Sequence, residues 1–126
     1  MRNLVKAMKA LSDETRLRML NLLLERECCV CEVMQVLGLS QSTASRGLSA
    51  LYDAGFLKQR KEGTRAFYSI EKDPAQYYSE MFEAVREALE GNKLAEADRE
   101  CLRQVGPVGP HCAEQLSVRS EFLSEV

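Results

Sequence analysis

The segment that follows Gly38 constrains the fold more than any other part of the chain, because it combines a turn signal with a two-faced helix. Gly38 suits a tight turn, and Ser40 suits the N-cap of the helix that comes after it. The apolar residues Ala44, Leu48 and Leu51 recur at the i, i+4, i+7 spacing of one buried helical stripe. The opposite face carries side chains that hydrogen-bond bases or phosphates, namely Gln41, Ser42, Thr43, Ser45 and Arg46.

The segments on either side complete a recognisable unit. A shorter apolar helix, from about residue 30 to 37, precedes the turn, and Gly55 ends the second helix. Two strands are predicted at 56–60 and 65–70, joined by a Gly-containing turn at 61–64. The cations of this hairpin are Lys58, Arg60, Lys61 and Arg65. This order predicts a winged helix-turn-helix, with its second helix in the major groove and its hairpin cations along phosphates or in the flanking minor groove.

Helices are also predicted on both sides of this unit. The first has its apolar side chains at Leu4, Ala7, Met8 and Leu11. Ser12 is expected to cap a second helix. Asp73-Pro74 favours another helix start, and the stripe that follows is Tyr77, Met81, Val85 and Leu89. A last helix runs from about 94 to 105. We therefore expect a mainly α fold with a small β-hairpin wing, in which residues 1–105 form one DNA-binding and dimerisation domain and 106–126 form a tail that need not be ordered.

Composition restricts the class of protein. A chain of 126 residues with 45% hydrophobic and 29% charged residues is typical of one soluble globular domain. No apolar run is long enough to span a bilayer, and the N-terminal residues lack a signal-peptide pattern, so we expect a cytoplasmic protein without a membrane partner. A net charge of −2 argues against a protein that coats nucleic acid nonspecifically. The balance is positive between Arg46 and Arg65, which is compatible with a specific DNA reader.

Three of the five cysteines, Cys28, Cys29 and Cys31, lie directly before the helix-turn-helix. In a reducing cytosol such thiols act as ligands, sensors or buried residues more often than as a disulfide framework. Residues two apart on a regular helix point about 200° apart, so Cys29 and Cys31 cannot bind one ion from within an unbroken helix. Either the helix starts after them or binding unwinds its first turn, and unwinding would displace the DNA-reading helix.

With these motifs the chain resembles the ArsR/SmtB family of winged-helix metalloregulatory repressors. The resemblance covers roughly residues 1 to 90 and rests on 10–18, on 39–48, and on 54–57 followed by 60–63. The family usually has His where this chain has Gly47, a change expected to make the helix more flexible and to remove one phosphate contact.

The stretch from Glu27 to Met34 is similar to the cysteine box of arsenic-sensing members of that family. The match implies that Cys29 and Cys31 bind As(III) or Sb(III), while the third family cysteine falls on Met34. A thioether is a poor arsenic ligand, so Met34 is expected in the core. For the third ligand we expect Cys28 first and then one of two distant thiols, Cys101 or Cys112. His111 is the only histidine, so the His-rich zinc site of other members cannot be built here.

The resemblance implies a homodimeric repressor that leaves double-stranded operator DNA when arsenic or antimony binds. The first helix and the helix from Pro74 to Gly91 are the expected dimer surface, although packing within one chain explains their stripes equally well. A repressor that responds to cadmium, lead, zinc or thiol oxidation stays an alternative, and a redox switch is expected to join distant cysteines. A small thiol-dependent reductase is remote, because the chain has no glycine-rich anion loop. We therefore expect no enzyme activity.

Overall fold

The structure is a computed structural model that describes residues 1–71 and 76–105, with the side chains of residues 76 and 77 left out. Within these residues the fold is mainly α with a small antiparallel sheet, as the sequence predicts. The elements in chain order are α1 (Arg2–Leu11), α2 (Glu14–Glu25), β1 (Cys28–Cys29), α3 (Val30–Leu37), α4 (Gln41–Asp53), β2 (Leu57–Glu62), β3 (Arg65–Ile70), α5 (Gln76–Leu89) and α6 (Lys93–Gln104). In the described residues no helix is both long and apolar enough to cross a bilayer.

The helix-turn-helix of α3 and α4 has its predicted bounds and signals. Gly38 ends α3 in the left-handed conformation with φ of 68°, and the Ser40 hydroxyl accepts the backbone N–H of Thr43 at 3.2 Å. The predicted stripe of α4 is fully buried at Ala44, Leu48 and Leu51. Local turn and capping chemistry therefore sets the angle at which α4 leaves the turn.

The start of α2 differs from the prediction by one residue. Ser12 ends α1, where its backbone N–H and its hydroxyl both donate to the Lys9 carbonyl, at 3.2 and 2.9 Å. Asp13 is the N-cap instead, and its carboxylate accepts the backbone N–H of Arg16 at 2.9 Å. A carboxylate at this position both accepts that hydrogen bond and interacts favourably with the helix dipole, so it displaces the neighbouring hydroxyl.

The wing is longer than predicted and has an additional strand. Pairing of β2 with β3 continues through Lys61 opposite Ala66 and Glu62 opposite Arg65, which leaves a two-residue turn instead of four residues. Phe56 is fully buried and precedes the strand. The two-residue strand β1 pairs antiparallel with β3, so the sheet order is β1-β3-β2. The sequence does not predict β1, because two residues are too few to show an alternating pattern.

The described part of α5 packs on the core through more than its predicted stripe. Val85 is buried, and Met81 and Leu89 pack against the core as half-buried residues. Two further aromatic rings, those of Tyr78 and Phe82, lie 4.9 and 5.7 Å from the Phe56 ring, centroid to centroid. The predicted helix start at residues 73–75 and the side chain of residue 77 lie outside the described residues.

Polar contacts hold α6 against α2. The Arg18 guanidinium donates two hydrogen bonds to Asp98, at 2.9 and 3.1 Å, and the Asp98 side chain is fully buried. The Asn21 amide donates to the Ala95 carbonyl at 3.1 Å and accepts from Arg99 at 2.8 Å. A buried bidentate ion pair fixes orientation as well as distance, so it sets the position of α6 on the domain.

Gly47 faces the interior and not DNA, which corrects the expectation that a side chain at this position would contact a phosphate. A Cβ atom built on Gly47 would lie 2.6 Å from both Sδ and Cε of Met19, which is fully buried. The glycine therefore allows α4 to approach α2 closely.

We expect the gain in stability from Gly47→Ala to depend on the residue at position 19. In the wild-type background, the flexible end of the Met19 side chain has to move to admit the methyl group, which offsets much of the gain in helix propensity of about 1 kcal/mol. In a Met19→Ala background the space is free, and the same change should stabilise by up to about 1 kcal/mol. Urea denaturation of wild type, the two single variants and the double variant measures both effects. An effect of equal size in both backgrounds would contradict the close approach of the two helices.

Candidate thiol site and nucleic-acid interface

The structure brings Cys29 and Cys31 together at the junction of β1 and α3. Cys29 is the N-cap of α3 in an extended conformation, with φ of −81° and ψ of 162°, and Cys31 lies in the first helical turn. Their Cα atoms are 5.4 Å apart, and the two sulfurs form a disulfide. The helix thus starts between the two cysteines, and they meet without unwinding.

A buried carboxylate completes the start of α3. The Cys29 sulfur accepts the backbone N–H of Glu32 at 3.4 Å, and Glu32 accepts the backbone N–H of Cys29 at 3.0 Å. This is a capping box in which sulfur replaces the usual hydroxyl. Arg26 donates to the second oxygen of Glu32 at 2.6 Å and to the Leu102 carbonyl of α6 at 3.3 Å. Burial alone would lower the pKa of Arg26, but its hydrogen bond and charge interaction with Glu32 raise the pKa overall.

Cys28 lies on the core side of the sheet, opposite Tyr68 in β3. Its side chain is fully buried and its thiol is free, with the sulfur donating to the Arg26 carbonyl at 3.4 Å. Desolvation raises the pKa of Cys28 from 9.0 to about 12, with Arg26 opposing the shift and Glu32 and Glu27 adding to it. Consecutive strand residues project to opposite faces, so Cys28 and Cys29 point apart. A buried protonated thiol is poorly placed to bind the same ion as Cys29, which argues against Cys28 as the first choice for a third ligand.

The raised pKa of Cys28 predicts a loss of stability in alkaline solution. The folded state holds the thiol proton up to about pH 12, whereas the unfolded chain releases it near its ordinary pKa of 9.0. The stabilising contribution is therefore complete below pH 9 and falls by up to about 1.4 kcal/mol per pH unit above it. Denaturation of the reduced protein from pH 8 to 11, compared with Cys28→Ala, isolates this contribution from other titrating groups. Parallel pH curves for the two proteins would show that the thiol ionises normally in the fold.

The remaining ligand candidates lie elsewhere. Cys101 is fully buried in α6 as part of the core, Met34 packs against the core as expected, and His111 and Cys112 lie outside the described residues. In the described ranges, no group of three or more His, Cys, Asp or Glu side chains is arranged to hold a metal ion. The described part of the chain therefore presents a two-cysteine site.

The thiol pair opens onto a groove shared with the predicted DNA-contacting residues of α4 and the wing. The cavity has a volume of about 490 Å³ and is lined by residues of α3, of the α4 N-terminus and of the wing: Cys29, Val30, Cys31, Met34, Gln35, Gln41, Ser45, Thr64, Arg65 and Ala66. The Gln35 amide oxygen is buried there and lacks a hydrogen-bond partner. A ligand held by the thiols would thus lie next to both α4 and the wing.

The predicted DNA-contacting residues of α4 and the wing are all exposed or half-buried, and one of them is already held by other side chains. Gln41, Ser42 and Arg46 are exposed, as are Lys58 and Lys61. The half-buried members of the predicted set are Thr43, Ser45 and Arg65. The first turn of α4 thus leaves polar side chains available to DNA.

Arg60 is the residue already held, because acidic and aromatic side chains contact its guanidinium. It donates to both oxygens of Glu27 at 2.7 to 3.1 Å and to Glu62 at 2.8 Å, and it lies 4.2 Å from the centre of the Phe67 ring. Hydrogen bonds to Glu27 and then to Glu62 raise the pKa of Arg60. Its predicted phosphate contact would therefore require these acidic partners to be displaced.

Sequence reasoning missed three residues around the thiols, namely Arg26, Glu27 and Glu32. The signal for Glu32 was present, because a capping residue followed three positions later by Glu is the capping-box pattern with Cys in place of Ser. Glu27 and Arg60 are 33 residues apart, and no local pattern connects them.

Comparisons with known proteins identify relatives of the chain. The family model for bacterial regulatory proteins of the arsR family matches residues 13–59. A cadmium resistance transcriptional regulatory protein CadC homolog of Staphylococcus aureus is 42% identical over 72 residues, which are 56% of this chain and 60% of that protein. The arsenic resistance transcriptional regulator ArsR2 of Pseudomonas putida is 37% identical over 81 residues, which are 64% of this chain and 70% of that protein. The chain thus spans about three fifths of the cadmium regulator's length.

A solved structure shares both the fold and part of the sequence. The homodimeric winged helix-turn-helix DNA-binding domain Mb0332 of Mycobacterium bovis, described as a possible ArsR-family regulator, superposes with a TM-score of 0.60 at 29% identity. The superposition covers 73% of this chain and 82% of that one.

Proposed function

The chain belongs to the arsR family of bacterial regulatory proteins, and from that premise we propose that it is a cytoplasmic repressor released from operator DNA by trivalent arsenic or antimony. Members of this family bind DNA and regulate transcription, so the chain is not an enzyme and the reductase alternative is set aside. The observation that carries the proposal is the position of Cys29 and Cys31, which open onto the groove shared with α4 and the wing.

Two thiols at one place match the chemistry of trivalent arsenic, which is soft and binds thiolates. Arsenite reacts as As(OH)₃ with the reduced pair. Two As–S bonds form and two As–O bonds break, and the thiol protons leave with the hydroxides as water. The third position on arsenic keeps its hydroxide or takes the thiolate of Cys112, which lies outside the described residues. Cys28 and Cys101 are less suited, because both belong to the core cluster and neither lines the groove that Cys29 and Cys31 share.

Release of DNA follows from the role of Cys29 as a helix cap. When arsenic binds its sulfur, the bond to the Glu32 backbone N–H weakens, and the first turn of α3 is free to shift. Because α3 is the first helix of the helix-turn-helix and packs against α4, its shift moves the DNA-reading helix. Arsenic then lowers DNA affinity to the extent that it binds the shifted state more tightly.

Two rival inducers have specific support. The similarity to a cadmium resistance regulator favours cadmium, with lead and zinc as related ions. The disulfide between Cys29 and Cys31 favours thiol oxidation as the release signal. Both rivals use the same pair of cysteines and the same helix start, so they differ from the main proposal only in the ligand.

The test is fluorescence anisotropy of the reduced full-length protein on labelled DNA from its own promoter. We expect tight binding in the absence of metal and release on addition of arsenite, with little effect of zinc. Release by cadmium or by an oxidant such as diamide, with no response to arsenite, would replace arsenic by one of the rivals. Absence of DNA binding under every condition would overturn the repressor itself.

A second copy of the chain is the proposed partner on α1. This helix leaves three apolar side chains exposed, Leu4 at 38%, Val5 at 43% and Met8 at 56%. The domain Mb0332, with the same fold, is described as homodimeric. Two copies would also place two α4 helices on one operator, as dimeric helix-turn-helix proteins do.

We expect Met8→Glu to convert the dimer to a monomer, because it places a charge in an apolar interface. Light scattering after gel filtration measures the mass directly. Lys6→Glu on the same helix changes the charge without removing apolar surface and should leave the mass unchanged. A dimer that survives Met8→Glu would exclude this face of α1 as the interface.

A further inference from the structure

We propose that Glu27 and Arg60 are positioning residues that transmit ligand binding at the thiols to the wing. The inference rests on the proposed function and adds a second route, through the sheet, beside the route through α3 and α4. We call the ion pair between these two side chains the Glu27–Arg60 bridge.

The bridge joins the thiol segment to strand β2 through several hydrogen bonds. Glu27 immediately precedes β1, and its carboxylate accepts three hydrogen bonds from Arg60, two from Nε at 3.0 and 3.1 Å and one from Nη2 at 2.7 Å. The remaining terminal nitrogen of Arg60 donates to Glu62 near the tip of the wing at 2.8 Å. One guanidinium thus connects the residue before the thiols to the wing tip.

The backbone of the sheet connects the same places. Cys29 in β1 lies directly opposite Phe67 in β3, and Phe67 lies directly opposite Arg60 in β2. The Arg60 guanidinium also lies over the Phe67 ring, 4.2 Å from its centre. The side chains of β2 and β3 are therefore in contact at the same position as their paired backbones. A shift of Cys29 on ligand binding is therefore passed through β3 to β2. Glu27 contacts the same strand β2 through its hydrogen bonds to Arg60.

The geometry distinguishes this role from a phosphate contact. The Nε, Nη1 and Nη2 atoms of Arg60 all donate to carboxylates, and the two acidic partners compensate its charge. A phosphate would have to displace them. The bridge is also largely exposed, and exposed ion pairs contribute little to stability. Its proposed contribution is therefore to the relative position of the thiol segment and the wing.

The first experiment measures the coupling between arsenite and DNA in reduced full-length protein. Coupling is the ratio of the DNA dissociation constants with and without arsenite, and such ratios usually lie between about 5 and 150. We expect Glu27→Gln and Arg60→Gln each to reduce this ratio at least about threefold, while the urea midpoint and the affinity for DNA without arsenite stay close to wild type. Lys58→Gln is the matched control on the same strand, expected to weaken DNA binding and to leave the ratio unchanged.

A phosphate contact would give a different pattern. If Arg60 bound a phosphate, Arg60→Gln would weaken DNA binding and lower the salt dependence by about one counterion. Glu27→Gln would then strengthen DNA binding or leave it unaltered, and the coupling ratio would not change in either variant. That pattern would overturn the bridge as a coupling element.

A second readout uses no DNA and separates this inference from the proposed function. Hydrogen exchange of the wing amides, residues 57–70, is measured with and without arsenite, and intact mass shows whether arsenic is bound. We expect arsenite to change wing exchange in wild type and to have a much smaller effect in Glu27→Gln and Arg60→Gln. Bound arsenic with the same wing response in all three proteins would overturn the bridge alone. Absence of bound arsenic in wild type would overturn the proposed function, and the bridge proposal with it.

Discussion

Cys29→Ser and Cys31→Ser are expected to abolish the release of DNA by arsenite, whereas Cys28→Ala should leave release intact. The coupling ratio should fall from at least about 10 in wild type to about 1 in either serine variant, because each loses one of two As–S bonds. Cys28 is a fully buried thiol with its pKa raised to about 12, so we expect it to contribute to packing and not to the ligand site.

The three substitutions are matched to the structure. Ser is a favoured N-cap, so Cys29→Ser keeps a side-chain acceptor for the Glu32 backbone N–H while removing the sulfur. The helix-turn-helix should therefore fold normally and still bind DNA. Cys28→Ala keeps a small apolar side chain in the core, whereas serine there would bury an additional hydroxyl.

Anisotropy titrations of the reduced variants, with and without arsenite, measure the ratio for each. Intact mass under native conditions counts bound arsenic independently of DNA. If Cys28→Ala lost the response while Cys29→Ser kept it, the ligand site would lie on the core side of the sheet. If both serine variants bound arsenic as wild type does, the thiol pair would not be the sensor at all.

Features that depend on neighbouring residues were predictable from the sequence. The turn at Gly38, the cap at Ser40 and the buried stripe of α4 all lie where their local signals place them. The difference between Ser12 and Asp13 shows the limit of this reasoning, because two adjacent residues both suit an N-cap, and the sequence does not show that Ser12 ends α1 while the Asp13 carboxylate caps α2.

Features that depend on distant residues were not predictable. Cys28 is adjacent in sequence to Cys29, yet pairing of β1 with β3 buries its thiol and separates the two side chains. The same pairing brings the thiol segment next to the wing, where Glu27 meets Arg60. A basic residue in a hairpin favours a phosphate contact from sequence alone, and the acidic partner that competes with such a contact lies 33 residues away.

The second large effect concerns stability and is expected from Asp98→Ala. The Asp98 carboxylate is fully buried and accepts hydrogen bonds from Nε and Nη2 of Arg18, at 2.9 and 3.1 Å. Its removal leaves a largely buried guanidinium without its partner, which typically costs about 3 to 5 kcal/mol. This is a large part of the roughly 5 to 15 kcal/mol that stabilises a small domain. Arg26 donates one hydrogen bond to the Leu102 carbonyl of α6 and another to Glu32 at the start of α3. A displacement of α6 should therefore also disturb the start of α3.

Urea denaturation of reduced protein at neutral pH measures the effect of Asp98→Ala, and two further variants test its cause. Glu100→Gln, in an exposed ion pair with Arg103 on the same helix, should change stability by less than about 0.5 kcal/mol. The double variant Arg18→Met with Asp98→Leu removes both charges and should recover much of the loss, because the cost arises from an unpaired buried charge and not from the absence of attraction. A double variant as unstable as Asp98→Ala would point to packing around α6 as the cause. Equal small effects of Asp98→Ala and Glu100→Gln would show that α6 does not depend on the buried pair for its position.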